Sequence, residues 1–348
     1  MDISSLPLAA NAAIFGLAAL CVWLAGSRLA AYADEISSRT GLGQALMGFL
    51  LLAGITSLPE IATSLTAAGI GDAPLAVNNL LGSISMQVAV LAIADAIYGK
   101  NALTSVVPDS TVILQGVLNI CLLCLVAVAA IVGDISFGGA GAWTWCLLLA
   151  AGYSLYMIVE GDQRKPWVIN TDYFDPVAQA KQSTEYVDVS HTRLALKTTL
   201  AALTILLAGS IVAVTGNSLA DQTGLGSSFV GYALVAIATS LPEASTVFAS
   251  LSRGLYTMAI SDILGTNILN VALLFLVDLV ATSGAIMSSA GVFAAVAALI
   301  GAFVTGLFVM GLAERRDRTI FKMGVDSAVV LIAYLGSLGL LYTLKGSG

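Results

Sequence analysis

Two five-residue strings concentrate the polar chemistry of this chain: Thr56-Ser57-Leu58-Pro59-Glu60 and Thr239-Ser240-Leu241-Pro242-Glu243. Each lies inside a long apolar run and brings together two hydroxyls, a proline and a carboxylate. Proline removes one backbone donor and clashes with the carbonyl four residues earlier, which is Ile55 for Pro59. A helix through the first string should therefore kink or open near Ala53 to Ser57, and a bound cation is one partner for the carbonyls set free. Ala53, Thr56, Ser57 and Glu60 then offer oxygens at one level, and Ala236, Thr239, Ser240 and Glu243 repeat the set. A kink that serves packing alone is the plain alternative. The glutamates decide between them, because a charged carboxylate at mid-membrane costs about 2.5 kcal/mol or more. No Lys, Arg or His lies at a similar depth in the sequence, so each glutamate must be protonated or paired with something outside the chain. Oxygen-only surroundings favour a hard cation such as Ca²⁺ or Na⁺ over zinc or copper.

The segments that follow add more polar atoms. Gly82-Ser83 precedes Gln87, and Gly265-Thr266-Asn267 precedes Asn270. Ser83 and Gln87 are four residues apart and share a helix face, as do Thr266 and Asn270. Gln87 and Asn270 have a second reading, as hydrogen bonds that tie helices together. Asp95 and Asp278 fall about 12 Å further along their helices, where residues at the mouth of a pathway are expected. Asp109 follows Pro108 at a helix start and reads as a cap.

The elements that must position these residues are membrane helices. Of 348 residues, 58% are hydrophobic and only 10% charged, with a mean hydropathy of +0.95. Soluble domains carry about 25% charged residues, so lipid must cover most of this surface. Ten apolar runs are long enough to cross a bilayer: 8–32, 41–69, 73–98, 108–131, 140–160, 194–217, 224–252, 255–280, 286–311 and 323–344. The stretch 161–193 is the one extended polar loop and separates a first half, 1–160, from a second, 194–348. With both termini outside, thirteen of the fourteen Lys and Arg residues fall in or beside cytoplasmic loops, Lys345 excepted, as the positive-inside rule requires. The net charge of −7 and the lack of a basic patch exclude nucleic acid as a partner. Cys21, Cys121, Cys124 and Cys146 lie in apolar segments and read as small buried side chains. The single histidine, His191, rules out a histidine metal cluster. Met1 to Pro7 has no basic region of the kind that opens a cleavable signal.

The two halves are related. An offset of 183 residues aligns Thr40-Gly41-Leu42-Gly43 with Thr223-Gly224-Leu225-Gly226, both five-residue strings, Gly26-Ser27 with Gly209-Ser210, Gly82 with Gly265, and Asp95 with Asp278. Twelve of the twenty-one positions from 40 to 60 are identical at that offset. Repeat motifs thus span 40–98 and 223–280. The offset covers five helices, an odd number, so the two copies enter the membrane from opposite sides. Such inverted repeats build two related gates around one central site in many secondary transporters.

These residues resemble the cation/Ca²⁺ antiporter superfamily, in particular its sodium/calcium exchangers. The resemblance rests on Gly54-Ile55-Thr56-Ser57-Leu58-Pro59-Glu60, on Ala238-Thr239-Ser240-Leu241-Pro242-Glu243, and on Gly82-Ser83 and Gly265-Thr266-Asn267-Ile268-Leu269-Asn270. It implies an all-α membrane protein of ten helices in two inverted five-helix repeats. It also implies Ca²⁺ held by Glu60 and Glu243 with carbonyls of Thr56 and Thr239. Sodium would be held by Ser57, Ser240, Ala53, Ala236, Ser83 and Thr266, with helices one and six sliding against the other eight. The family usually reads Gly-Ser-Asn-Ile-Ala-Asn where this chain has Gly82-Ser83-Ile84-Ser85-Met86-Gln87, and sodium-coupled members often carry aspartate where it has Asn270. Proton-coupled exchange of Ca²⁺ or another divalent cation is therefore the alternative. An uncoupled cation channel and an intramembrane carboxylate enzyme are competitors of other classes. Exchange in a prokaryotic inner membrane by a single chain, with no cofactor and no protein partner, is the expectation.

Overall fold

A computed structural model describes residues 6–40, 54, 56–98, 101–107, 111–164, 191–252, 254–282, 284–316, 318–320 and 322–345. Its helices are α1 (Leu8–Thr40), α2 (Leu58–Gly69), α3 (Ala73–Tyr98), α4 (Thr111–Val132), α5 (Ala142–Arg164) and α6 (His191–Thr223). They continue as α7 (Ser227–Thr239), α8 (Leu241–Ser252), α9 (Tyr256–Val280), α10 (Ile286–Glu314) and α11 (Val325–Thr343). Eight helices among the described residues are long and apolar enough to cross a membrane, and α7 with α8 makes a ninth if that bent pair is one span. The run expected at 41–69 is represented by α2, and its residues 41–53 lie outside the described residues, as do Asp109 and most of the polar loop.

Burial sorts the helices into layers. Of the apolar windows of α3 and α9, 78% and 72% of residues are buried, against 17% in α1. The inner pair packs with α10 through Leu80, Ile84, Val271, Leu274, Phe293 and Ala298. The outer helices turn Leu17, Leu24, Leu203 and Leu207 outward, as a lipid-facing surface requires. The four cysteines are also outward and unpaired, which corrects the expectation that they are buried. A thiol facing hydrocarbon gives up little hydration, so lipid accepts it as readily as a protein core does.

Because lipid tails are as apolar as leucine, close packing between membrane helices relies on small residues. A Cβ on Gly82 of α3 would lie 2.2 Å from the carbonyl oxygen of Tyr232 in α7, and one on Gly231 of α7 would lie 2.6 Å from that of Leu75 in α3. The outer layer repeats the device across the halves. A Cβ on Gly26 of α1 would meet Pro242 Cγ at 2.3 Å, and one on Gly209 of α6 would meet Ala62 at 2.7 Å.

The 183-residue offset also relates backbone contacts. Strands β1 (Ser136–Phe137) and β2 (Ala140–Gly141) form a short hairpin, and β3 (Thr319–Ile320) and β4 (Met323–Gly324) form its equivalent in the same register. Asp95 accepts from the amides of Leu103 and Gly324, both at 2.8 Å. Asp278 accepts from the equivalent amides of Ile286 at 2.8 Å and Gly141 at 2.6 Å, and from the Thr144 hydroxyl at 2.6 Å. Both aspartates are buried. They are clasps that hold each hairpin and the following helix, and their carboxylates are already satisfied by the chain. This replaces the expectation of residues at an open mouth.

Candidate cation site

The second string bends where the proline predicts. α7 and α8 meet at 46°, with Ser240 at the joint (φ −84°, ψ 6°) and a π-helical turn at Gly231–Val235 just before it. Ser57 holds the matching place ahead of α2, at φ −75° and ψ 0°. Pro59 and Pro242 each fall in the first turn of the helix after the break, where a missing N–H is tolerated. One detail differs from expectation. The Ala236 carbonyl is not freed, since it accepts from Ser240 N at 3.0 Å and from Thr239 Oγ1 at 3.3 Å. Pro242 leaves without a donor the carbonyl four residues earlier, which is Ala238. Ala53 lies outside the described residues.

The breaks bring the two glutamates together. Glu60 and Glu243 are both fully buried, and their carboxylates interact electrostatically. The contacts cross between the halves. Ser240 donates to Glu60 Oε1 at 3.4 Å, and the hydroxyls of Thr239 and Ser83 also face that carboxylate. Thr56 faces the carboxylate of Glu243. Even so, Glu60 Oε2 and both oxygens of Glu243 are without a hydrogen-bond partner among the described residues. An ionised carboxylate left in that condition costs several kcal/mol.

The surrounding helices supply more unspent oxygen. Ser83 Oγ lies 3.3 Å from Thr239 Oγ1. Ser57 Oγ, Thr266 Oγ1, and both amide atoms of Gln87 and of Asn270 are buried without partners among the described residues. Gln87 and Asn270 therefore form no hydrogen-bond ties between the described helices. Among the described residues, no three His, Cys, Asp or Glu side chains converge closely enough to hold a metal by themselves. What converges is a pair of carboxylates with hydroxyl and amide oxygens, a donor set for a hard cation.

Two residues next to the site were not singled out in the sequence. Asn79 accepts from Thr239 Oγ1 at 3.2 Å and donates to Ser64 Oγ at 2.9 Å. Asp262, its equivalent 183 residues later, interacts electrostatically with Glu243. A search of the repeat for mismatches as well as matches would have found this pair. Asp262 is also an acid within an apolar span, which is itself a signal.

A family model described as sodium/calcium exchanger protein matches residues 10–160 and 194–343. The chain belongs to that family. The two matched blocks flank the polar loop and contain both proline-glutamate strings. Among curated proteins, this family member is 26% identical to CaxA of Alkalimonas amylolytica over 93% of this chain and 96% of that protein. It is 25% identical to inner membrane protein YrbG of Escherichia coli strain K12, over 80% of this chain and 82% of that protein. Among solved structures, the sodium-calcium exchanger NCX_Mj soaked with Na⁺ and Sr²⁺ aligns at a TM-score of 0.59 and 17% identity, covering 96% of this chain and 99% of that one. The same exchanger soaked with Na⁺ and Ca²⁺ aligns at 0.57, covering 94% and 97%. At that identity the likeness establishes the fold.

Proposed function

We propose that the protein is a secondary cation antiporter that exchanges Ca²⁺ for Na⁺ by alternating access, with Ca²⁺ held between Glu60 and Glu243. The single observation that carries this is the pair of fully buried carboxylates, contributed by equivalent positions of the two halves, with three of their four oxygens unpartnered among the described residues. One divalent cation neutralises two carboxylates. Several Na⁺ ions discharge the same oxygens, so the two cargoes compete. A site emptied of both leaves two buried like charges facing each other, a state too costly to cross the membrane readily. That penalty is what couples the fluxes and argues against an uncoupled channel.

The remaining ligand set is Thr56, Thr239, Ser57, Ser240, Ser83, Thr266, Gln87 and Asn270, with Ala53 contributing main-chain oxygen, whereas the Ala236 carbonyl is already engaged. Ten helices in two inverted repeats, 1–160 and 194–348, with both termini outside and the 161–193 loop in the cytoplasm, provide the frame. The inverted arrangement is supported by the equivalent clasps of Asp95 and Asp278. Location in a bacterial inner membrane is supported by the likeness to the inner membrane protein YrbG. Action as a single chain is part of the same proposal.

Proton-coupled exchange is the second reading, favoured by the amides Gln87 and Asn270 at positions where a further acid would assist sodium coupling. Reconstituted vesicles separate the two. A Na⁺ gradient at fixed pH should drive Ca²⁺ against its own gradient. Ca²⁺ movement driven only by a pH gradient in Na⁺-free vesicles would replace Na⁺ by H⁺ as the coupling ion. Flux that neither gradient can drive uphill would overturn antiport.

A further inference from the structure

Asp262 is a carboxylate that the Ca²⁺ site leaves unused. It stands on α9 one turn before Thr266 and two before Asn270, on the same helix face. It is only 5% exposed. Its Oδ2 accepts from Thr246 Oγ1 at 2.7 Å, and that hydroxyl lies 2.9 Å from the main-chain oxygen of Glu243. Its Oδ1 has no partner, like both side-chain oxygens of Glu243. The equivalent place in the first half holds Asn79, a neutral group whose side-chain oxygen and nitrogen are both engaged.

Charge counting shows what Asp262 requires. Ca²⁺ balances Glu60 and Glu243, and Asp262 adds a third negative charge. No cationic side chain reaches it among the described residues; its hydrogen-bond partner is the neutral hydroxyl of Thr246. Because no three acidic groups among the described residues converge around one point, Asp262 is not a third arm on the same ion. The missing positive charge must sit to one side, toward the α8–α9 turn. We propose that Asp262 Oδ1, the Glu243 carboxylate and the Thr246 hydroxyl form a subsite for a monovalent alkali cation, separate from the Ca²⁺ position but sharing Glu243 with it. This rests on the exchange reading for its identification of the cation as Na⁺. Oxygen donors of this type suit a hard cation. In the proposed orientation the subsite lies on the cytoplasmic side of Thr266, whereas Asn79 lies on the outer side of Ser83. The pathway is then charged on one side and neutral on the other.

Calorimetric Na⁺ titration of the purified full chain in Ca²⁺-free buffer, at constant ionic strength with N-methylglucamine chloride, tests the subsite. Asp262→Asn should bind one Na⁺ fewer than wild type and still bind one Ca²⁺. Thr246→Val should keep the Na⁺ count and weaken the last site about threefold. Asp262→Glu should retain the wild-type count, which keeps the test open if Asp262→Asn does not fold. Equal Na⁺ counts in wild type and Asp262→Asn would overturn the proposal, because an asparagine then does what the aspartate does. Joint loss of Na⁺ and Ca²⁺ binding in a folded Asp262→Asn protein would overturn it too. Failure of the exchange reading shows separately, as wild-type protein that takes no Ca²⁺ while its Na⁺ count still differs from that of Asp262→Asn.

Discussion

Glu60 accepts a hydrogen bond from Ser240 and is also faced by the hydroxyls of Thr239 and Ser83, whereas Glu243, its equivalent in the second half, is faced by the Thr56 hydroxyl and has no hydrogen-bond partner on either oxygen among the described residues. One turn away the contrast continues, with an engaged Asn79 in the first half and a half-satisfied Asp262 in the second. The aspartate clasps differ in the opposite sense. Asp95 and Asp278 hold equivalent amides in both halves. The contacts of the repeat are thus matched at the two clasps and differ around the two glutamates. Both oxygens of each clasp aspartate have protein partners, whereas three of the four glutamate oxygens have none among the described residues.

Removing the clasps should have the largest effect on stability. Asp95→Ala and Asp278→Ala each strand two buried amides; the Thr144 hydroxyl keeps the Gly141 carbonyl as an acceptor. Each buried donor left without an acceptor costs about 1–3 kcal/mol. Thermal unfolding in detergent should show both variants destabilised, and by similar amounts. A midpoint unchanged in either would mean that the clasps are not structural.

Gly26→Ala and Gly209→Ala come next. An added methyl would meet Pro242 at 2.3 Å or Ala62 at 2.7 Å, and overpacking of this kind costs about 1–3 kcal/mol. Both contacts lie between an outer helix, α1 or α6, and a proline-bearing helix of the other half. Exchange rates in vesicles should fall several-fold while Ca²⁺ affinity changes little. An equal loss of rate and affinity would place these contacts in the binding step and not in the movement.

The smallest effect sharpens the comparison at the motif itself. The Ser240 hydroxyl donates to Glu60, while the Ser57 hydroxyl makes no hydrogen bond among the described residues. Ser240→Ala should weaken Ca²⁺ binding about fivefold and Ser57→Ala less than about twofold, on the scale of one charge-assisted hydrogen bond. Equal losses in both would mean that the halves contribute alike.

Much of this was legible in the residues alone. The offset of 183 could be read because polar identities survive in register inside apolar segments, and Pro59 and Pro242 marked the helix breaks through their missing donors. The matching hairpins were not legible. Ser136-Phe137 and Thr319-Ile320 share no residue, and what repeats there is main-chain hydrogen bonding. The clasp role of Asp95 and Asp278 stayed hidden for a related reason, since their partners Gly324 and Gly141 lie in the opposite half. Ala236 was expected to present a free carbonyl, but the break falls at Ser240 and leaves it inside the helix. Asp262 was missed because identities define a repeat, and the informative feature here is a difference between its copies.

Calorimetric titration of Ca²⁺ into the purified protein in Na⁺-free buffer tests the central claim most directly, with Glu60→Gln and Glu243→Gln beside the wild type. Wild type should bind one Ca²⁺ per chain, with an affinity at least about a hundredfold weaker in either variant, since each removes one of two neutralising charges from a buried site. Wild-type affinity retained in both folded variants would contradict it.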